Sequence, residues 1–217
     1  TSGQDYPVLY MHDGQNLFDA ETSFLGEWEV DESLNQLFQA GKEVPIVVAI
    51  DNGGAHRLDE YAPWVNPDYG GGEGDQYAEF IVETLKPYID ENYRTRPGRE
   101  NTGIMGSSLG GLISHYIGMK YQHVFSKAGI FSPAYWFNIE VYSYTYETGK
   151  QENMRFYMMG GTDEGPNLVN EMNDMIDTLQ ASGYLENEIT LKIVQDGQHN
   201  ENLWRQEFGE AYEWLFL

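Results

Sequence analysis

The stretch Thr102-Gly103-Ile104-Met105-Gly106-Ser107-Ser108-Leu109-Gly110-Gly111 joins a short apolar segment to a glycine-rich turn. A pattern of apolar residues with helical spacing begins directly afterwards, at Leu112. Ser108 has glycine two residues before it and two residues after it, whereas Ser107 has a methionine and a leucine there. A tight turn from strand to helix crowds the backbone beside its central residue, and glycine relieves this because it has no Cβ. The stretch therefore predicts a strand, a sharp turn that exposes Ser108, and a helix.

Composition describes a globular chain with a strongly acidic surface. The 217 residues are 41% hydrophobic and 14% aromatic, which favours one globular domain over residues 1–217. There are 35 acidic residues against 12 Lys and Arg, which gives a formal net charge of -23. Such a surface repels phosphate backbones and anionic lipids, so we expect no nucleic-acid and no membrane partner. The lack of cysteine excludes a disulfide scaffold and a cysteine nucleophile.

Apolar segments of strand length alternate along the chain with segments of helical periodicity. Several strand segments are almost continuously apolar, as in a parallel sheet that is buried on both faces. The predicted strands are Pro7 to His12, Val44 to Asp51, Thr102 to Met105, Ala128 to Ser132, Arg155 to Met159 and Ile189 to Val194. We therefore expect an α/β fold with a mostly parallel central sheet and helices on both faces.

Between the strands, five segments have the apolar spacing of an amphipathic helix. Their apolar positions are Val30, Leu34, Leu37 and Phe38; Tyr77, Phe80, Ile81, Leu85 and Tyr88; Leu112, Ile113, Tyr116 and Ile117; Leu168, Met172, Met175, Ile176 and Leu179; and Leu203, Trp204, Phe208, Tyr212 and Leu215. The segment 52–74 is expected to be a long irregular loop, and 138–153 is a polar insertion rich in tyrosine.

The turn at Ser108 has the G-x-S-x-G form of a serine nucleophile that lies between a strand and a helix. In that arrangement an acid follows a later strand, and a histidine precedes the last helix. His199 meets the second condition, because it lies between the strand that ends at Val194 and the final helical segment. A histidine at that end of a parallel sheet can reach a serine at the same edge and accept its proton.

Two adjacent acids, Asp163 and Glu164, follow the strand Arg155 to Met159. We favour Asp163 as the partner of the histidine, because its G-x-x-D spacing from Gly160 is common for an acid at a strand end in this arrangement. Glu164 is the alternative. Among the other histidines, His12 ends the first strand at the same edge of the sheet, so we expect it to help shape the substrate site.

The sequence carries no pattern for a metal or a cofactor. It has no H-E-x-x-H motif and no cluster of histidines, so we expect neither a catalytic metal nor a cofactor. The glycine run at 70–72 is not followed by Lys-Ser or Lys-Thr, which excludes a phosphate-binding loop of that type.

Five motifs, in the same order along the chain, resemble those of the putative-esterase family. They are Met11 to Asp19, Glu60 to Trp64, the turn at Ser108, Phe131 to Trp136 and Gly197 to Glu201. That family includes enterochelin and other siderophore esterases, feruloyl and acetyl-xylan esterases, and the esterase D and mycolyltransferase branches. The resemblance spans nearly the whole chain. It implies an α/β-hydrolase fold and a serine esterase, and it does not fix the substrate.

Site residues follow from this resemblance. It implies that Ser108 is the nucleophile and His199 the base, and that the backbone N–H groups of Gln15 and Leu109 form the oxyanion hole. Members of the family usually have two further strands before the one predicted at Tyr6 to His12. The printed chain starts almost at that strand, so we expect either a sheet that lacks these two strands or two strands that lie outside the given sequence.

Two tryptophans complete the expected substrate site. Trp64 and Trp136 lie in loops near the same edge of the sheet, where we expect them to stack on an aromatic or sugar ring. We therefore expect a carboxylic-ester hydrolase that acts through an acyl-enzyme on feruloyl or acetyl esters of plant polysaccharide.

Other functions remain open at this point. A siderophore trilactone is the alternative substrate, and an alcohol acceptor in place of water would make the protein an acyltransferase. The alternative from another class is a non-catalytic module that binds carbohydrate, although the order of serine, acid and histidine disfavours it. The partner we expect is a small or polysaccharide-linked ester, and the sequence predicts no oligomeric state.

Overall fold

Six parallel strands form one sheet in the computed structural model, which describes residues 3–217. They are β1 (Val8–His12), β2 (Ile46–Ile50), β3 (Thr102–Ser107), β4 (Lys127–Phe131), β5 (Arg155–Gly161) and β6 (Ile189–Val194). Their order across the sheet is β2-β1-β3-β4-β5-β6, and every neighbouring pair is parallel. A strand occupies each predicted segment, so the expected parallel α/β architecture is confirmed.

Eight α-helices cover this sheet within the described part of the chain. They are α1 (Val30–Gln39), α2 (Arg57–Tyr61), α3 (Gly74–Phe80), α4 (Lys86–Asn92), α5 (Leu109–Lys120), α6 (Glu140–Thr148), α7 (Leu168–Ala181) and α8 (Glu201–Phe216). The first and last of them pack together in the hydrophobic core of one face of the sheet, and the other six contribute to the core of the opposite face. No helix in residues 3–217 is both long enough and apolar enough to cross a membrane.

Alternate residues of β1 belong to the two different cores. Val8 and Tyr10 pack with the six helices on one face, and Leu9 and Met11 pack with α1 and α8 on the other. All four side chains are fully buried. Because both faces of the sheet exclude water, the positions Val8 to Met11 are all apolar, which explains why this part of the strand does not alternate between apolar and polar residues.

The predicted helical face that includes Phe80 and Tyr88 is partly wrong. Both side chains are largely exposed, whereas Ala78 and Ile89 are buried. A π-helical turn at Ile81–Leu85 joins α3 to α4. Since such a turn holds one residue more than an α-helical turn, it rotates the buried face of the following helix, so that Ile89 takes the place expected for Tyr88.

The two segments without a clear period each contain a short helix. Within 52–74, α2 has only five residues, too few for a repeat to be visible, yet it buries Tyr61 completely. Within 138–153, α6 buries Val141 and Thr145, one turn apart. The Thr145 hydroxyl lies 2.9 Å from Nε2 of the buried His115. A polar residue therefore occupies a core position, which conceals the period of this helix in the sequence.

The turns that follow β5 and β6 are in close contact at Gly161 and Gly197. A Cβ built on Gly161 would lie 2.1 Å from the carbonyl oxygen of Gly197. The N–H of Asp163 also donates to that carbonyl, at 2.9 Å. This contact fixes the turn that carries Glu164 relative to the turn that carries His199.

We expect Gly161→Ala to lower the free energy of unfolding by about 1–3 kcal/mol, because the added methyl group must displace the backbone at Gly197. Gly209→Ala is the matched control. Gly209 lies inside α8, and a Cβ there would have no atom within 4 Å, so this variant should gain up to about 1 kcal/mol from helix propensity. Urea unfolding measures both variants, and equal stabilities would contradict the close contact.

Candidate active site

A cavity of about 800 Å³ opens at the carboxyl ends of β1, β2 and β3. The strand β2 lies on one side of β1 and all later strands lie on the other side, so the winding of the sheet reverses direction here. In open parallel sheets, crevices at such reversals are preferred ligand sites. Ser108, His199 and Gln15 all line this cavity. The structure thus brings three of the predicted site residues to one place.

Ser108 occupies a strained turn between β3 and α5. Its φ of 58° and ψ of -122° are values that residues with a side chain rarely adopt. Its N–H donates to the carbonyl of Phe131 at 2.9 Å, and its carbonyl accepts from the N–H of Gly111 at 3.0 Å. A Cβ on Gly106 would lie 2.7 Å from the carbonyl oxygen of Gly110. The glycine before the serine is therefore required by the close approach of the two backbone segments.

His199 is hydrogen-bonded to a buried carboxylate. Its Nδ1 lies 2.7 Å from Oε2 of Glu164, whose side chain is 0% exposed. The other carboxylate oxygen accepts hydrogen bonds from the N–H of Gly161 and, at 2.9 Å, from the Ser132 hydroxyl. That hydroxyl in turn accepts from the indole N–H of Trp204 at 2.8 Å. Because an ionised carboxylate only accepts hydrogen bonds, this arrangement fixes the proton of His199 on Nδ1.

The structure places Glu164, the alternative acid, and not the favoured Asp163, against His199. Asp163 is exposed, and its N–H is bonded to the carbonyl of Gly197. β5 continues to Gly161, two residues beyond its predicted end, so the turn begins later than the G-x-x-D spacing assumes. The next residue, Glu164, is the one whose side chain turns back under the end of the strand.

Ser132 and Trp204 are site residues that the sequence analysis did not identify. Ser132 follows β4, at the same edge of the sheet as Ser108, and its backbone has a φ of 44°. The ring of Trp204 meets the ring of His199 edge to face, with centroids 5.1 Å apart. A buried serine directly after a central strand, in the motif Phe131 to Trp136, was the available signal for the first of them.

His12 and Trp64, two of the expected substrate-binding residues, line neither of the two cavities beside His199. His12 is 2% exposed, and its Nδ1 lies 2.8 Å from the hydroxyl of Tyr77. Burial lowers the pKa of His12 to about 3, so this ring is neutral. Trp64 packs edge-on against Tyr116 and Tyr144, with ring centroids 5.5 Å apart in each pair. The expectation that these two side chains contact the substrate is therefore corrected: both pack against neighbouring aromatic rings instead.

Trp136, the third expected substrate-binding residue, is in a position to meet a ligand. Its side chain is half exposed and lines a second cavity of about 330 Å³. His199 and Glu164 line the same cavity, together with Asn167 and Glu171. His199 therefore stands between two cavities, of which only the larger is lined by Ser108.

A hydrogen-bond network fixes the loop that carries Gln15. The Gln15 side chain and the Asn52 backbone exchange two hydrogen bonds, at 3.2 and 3.3 Å. The Asn52 side chain donates to Asp13 at 2.7 Å, and Arg57 donates to both oxygens of Asp13 at 2.6 and 2.8 Å. Asp13 has left-handed backbone angles, with φ 55° and ψ 49°. Sequence reasoning missed this clamp, although Asp13 and Asn52 follow neighbouring strands.

Within residues 3–217, the backbone N–H groups of Gln15 and Leu109 donate to no backbone acceptor outside their own helical turns. Leu109 is the first residue of α5, where the N–H groups of a helix lack partners within the helix and the helix dipole is positive. These are the two groups expected from the sequence to form the oxyanion hole.

One group of carboxylates in residues 3–217 could hold a metal ion. The ligand oxygens of Glu27, Asp31 and Glu32 lie within 4.8 Å of one another. None of these residues lines the cavity beside Ser108. Exposed acidic groups of this kind are common without a metal, so this one has no bearing on the candidate site.

Comparison with known proteins supplies the family. A family model described as putative esterase matches residues 1–215. The chain belongs to the putative-esterase family. It is accordingly a carboxylic-ester hydrolase, and its helix-covered parallel sheet is of the α/β-hydrolase type.

The proteins that this chain resembles have low sequence identity to it. The uncharacterized protein YbbA of Bacillus subtilis (strain 168) is 28% identical over 229 residues, which cover 100% of this chain and 88% of that protein. A ferulic acid esterase structure is 17% identical, with a TM-score of 0.72 over 99% of this chain and 86% of its own. The enterobactin esterase FES from Shigella flexneri is 19% identical, with a TM-score of 0.78 over 99% of this chain and 55% of its own. The chain spans about a quarter of the length of three further curated relatives.

We expect Glu164→Gln to lower kcat for a p-nitrophenyl ester by roughly 10⁴-fold, because the amide no longer holds the proton of His199 on Nδ1. Asp163→Asn, which removes the neighbouring exposed carboxylate, should change kcat little. Steady-state kinetics of the two purified variants make the comparison. A large loss in Asp163→Asn with a small one in Glu164→Gln would contradict the arrangement described above.

Proposed function

We propose that the protein cleaves carboxylic esters with Ser108 as nucleophile, His199 as general base and Glu164 as the acid that orients the histidine. The observation that carries this proposal is the hydrogen bond from His199 to the buried Glu164, beside a cavity that His199 shares with Ser108. With the proton of the ring held on Nδ1, the other ring nitrogen is free to accept the proton of the serine hydroxyl.

The reaction follows from these roles. Ser108 attacks the ester carbonyl while His199 takes its proton, and the resulting oxyanion is bound by the N–H groups of Gln15 and Leu109. Each such donor contributes about 3–4 kcal/mol to the stabilisation of the transition state. His199 then protonates the leaving alcohol, an acyl-enzyme remains on Ser108, and a water activated by His199 releases it.

The hydrogen-bond network around Asp13 supports catalysis because it keeps the backbone N–H of Gln15 in a fixed position. A donor helps most when it is already in place before the charge develops, because no reorganisation is then needed. Gln15 is tied through Asn52 and Asp13 to Arg57, so its N–H has little freedom to turn away. This network holds the loop after β1 at a fixed position relative to Ser108.

The two cavities suggest where the halves of the ester bind. The acyl group becomes attached to Ser108, so it occupies the larger cavity, whose wall includes Phe24, Leu25 and Trp204. The leaving alcohol takes its proton from His199, so it extends into the cavity that holds Trp136. An apolar wall suits an aromatic acyl group such as feruloyl, although an acetyl group would also enter.

The cavity assigned to the leaving alcohol is lined by the kinds of residue that bind sugars. Trp136 offers an exposed ring on which a sugar can stack, and Asn167 and Glu171 offer polar groups for hydroxyls. We therefore favour feruloyl or acetyl esters of polysaccharide, in line with the structural neighbour named a ferulic acid esterase. A siderophore trilactone is the second candidate, since another neighbour is named an enterobactin esterase. The net charge of -23 disfavours it where the catecholate carries iron, because that complex is anionic.

We expect Ser108→Ala to lose at least about 10³-fold of the activity towards a p-nitrophenyl ester, since the acyl-enzyme can no longer form. Ser107→Ala is the control on the neighbouring hydroxyl and should retain most of the activity. A fluorophosphonate probe should label the wild type and Ser107→Ala, but not Ser108→Ala. An unlabelled, inactive wild type would instead support the non-catalytic carbohydrate-binding module.

We expect Trp136→Ala to raise KM for a feruloylated xylan oligosaccharide about tenfold while leaving methyl ferulate unaffected, because the sugar stacks on the ring whereas the leaving methanol is too small to reach it. The matched control is Tyr146→Ala, which removes another exposed aromatic ring that lines neither cavity. A catecholate trilactone is assayed alongside. If it is the best substrate and Trp136→Ala leaves the oligosaccharide KM unchanged, the siderophore candidate replaces the polysaccharide one.

A further inference from the structure

A third cavity, which differs from the two beside His199, lies at the opposite end of the sheet from Ser108. It has a volume of about 380 Å³ and is lined by Arg99, Lys127 and Arg155, among others. Lys127 is the first residue of β4 and Arg155 the first residue of β5, so the cavity is at the amino ends of the strands. The esterase chemistry at the carboxyl ends makes no use of it.

The charges around this cavity differ from those elsewhere in the protein. Ion pairs with carboxylates hold Lys42, Arg57, Lys86, Arg96, Lys120, Lys150, Lys192 and Arg205. Leaving Arg94 aside, the cations of residues 3–217 with no carboxylate oxygen within 4.0 Å are Arg99, Lys127 and Arg155. In a chain with 35 acids and 12 bases, the three cations without such a partner all line one cavity.

Neutral groups accept the hydrogen bonds of these three side chains. Arg99 donates to the carbonyls of Gln122, Phe125 and Asn153 at 2.7, 3.4 and 2.9 Å. Lys127 donates to the hydroxyl of Ser126 at 2.9 Å and to the carbonyl of Glu100, and Arg155 donates to the carbonyl of Trp214 at 2.7 Å. These contacts hold the side chains in place without pairing any of the three with a carboxylate.

Two of the cations are direct neighbours in the sheet. Lys127 and Arg155 are register partners in β4 and β5, and both lie over rings of α8, those of Phe216 and Trp214. Like charges in paired positions on the same face of a sheet destabilise it. Lys127 is also 9% exposed, so little water screens its charge. A buried cation beside another cation is costly unless an anion joins them.

Two carboxylates also line the cavity, and neither forms an ion pair with these cations. Glu188 is bound to Lys150 at 2.8 Å, and Glu100 accepts a hydrogen bond from the side chain of Asn101 at 3.0 Å. Burial, and then the charges of Arg155 and Arg99, lower the pKa of Lys127 to about 8, against the opposing effect of Glu100. The nearby Arg96 acts in the same direction as the other arginines, although it is paired with Glu43.

We propose that this cavity is a binding site for a small tetrahedral oxyanion, either free phosphate or sulfate or the phosphate group of a small ester, held by Lys127, Arg155 and Arg99. An oxyanion is a multiple acceptor, and the three side chains that line this cavity are all donors with a positive charge. Its charge would offset the repulsion between the neighbouring strand residues. The site is separate from the ester-cleaving site, so it does not depend on the proposed function.

Isothermal titration calorimetry with sodium sulfate tests the site directly, because sulfate keeps its charge over the pH range of interest. Ionic strength is held constant with sodium chloride, since added salt also screens the acidic surface. We expect sulfate binding to the wild type to be at least about tenfold weaker in Lys127→Met and in Arg155→Gln, each of which removes one charge-assisted contact. The control Lys42→Met makes the same change in net charge at a cation paired with Glu213, and it should bind like the wild type.

The pH dependence gives a second readout. Because Lys127 loses its proton above about pH 8, sulfate affinity of the wild type should fall between about pH 7 and about pH 9.5. That decline should be absent in Lys127→Met. If this variant does not fold, Arg155→Gln, which changes an exposed side chain, decides the matter alone.

Several results would overturn the proposal. They are wild-type heat no greater for sulfate than for chloride, affinities that are equal in the wild type and Arg155→Gln, or an equal loss in Lys42→Met. Titrations with inorganic phosphate and with glycerol 3-phosphate distinguish the sources of the oxyanion. Tighter binding of the ester indicates a phosphorylated metabolite, and tighter binding of the inorganic ion indicates free phosphate; both outcomes support the site.

Discussion

The backbone at Ser108 passes from β3 into α5 within a single residue, and the positions of the other site residues depend on that turn. A residue with a side chain and backbone angles this rarely adopted costs about 1–3 kcal/mol, so the surrounding structure must hold it in place. Here the hydrogen bond from its N–H to Phe131 ties the turn to the end of β4. Gly106 allows the strand and the helix to approach closely, because a Cβ there would collide with the backbone of Gly110.

The same edge of the sheet supplies one site residue from each of five strands. Gln15, Ser108, Ser132, Glu164 and His199 follow β1, β3, β4, β5 and β6 respectively. Ser132 is the link between the two halves of this set, since it adjoins the strand end that anchors Ser108 and donates to the carboxylate that holds His199. A shift of β4 would therefore disturb the serine turn and the histidine together, which explains why a buried polar side chain is kept at the centre of an apolar sheet.

Much of this arrangement could be predicted from the sequence, because strands that are buried on both faces are continuously apolar and because the glycines around Ser108 are unambiguous. The sequence could not predict whether Asp163 or Glu164 binds His199. Adjacent residues in a turn differ only in the direction of their side chains, and that direction was set by two extra residues of pairing between β5 and β6. His12 was misjudged for a related reason, since a residue at the carboxyl edge of the sheet can point into the core as easily as into the cavity.

Because the chain has a large excess of acidic residues, a cationic side chain without a carboxylate partner is unexpected. With many carboxylates on a small surface, a Lys or Arg side chain at an arbitrary position will usually have a carboxylate nearby. Most of the Lys and Arg side chains do form such ion pairs. At the carboxyl edge this pairing is put to use, since Arg57 holds Asp13 under the loop of Gln15. At the amino edge the cations are not paired with carboxylates. Lys127 and Arg155 are neighbours in the sheet, and they donate to a hydroxyl and to backbone carbonyls. Composition alone would not produce that exception, so it calls for a local cause such as an anion that binds between them.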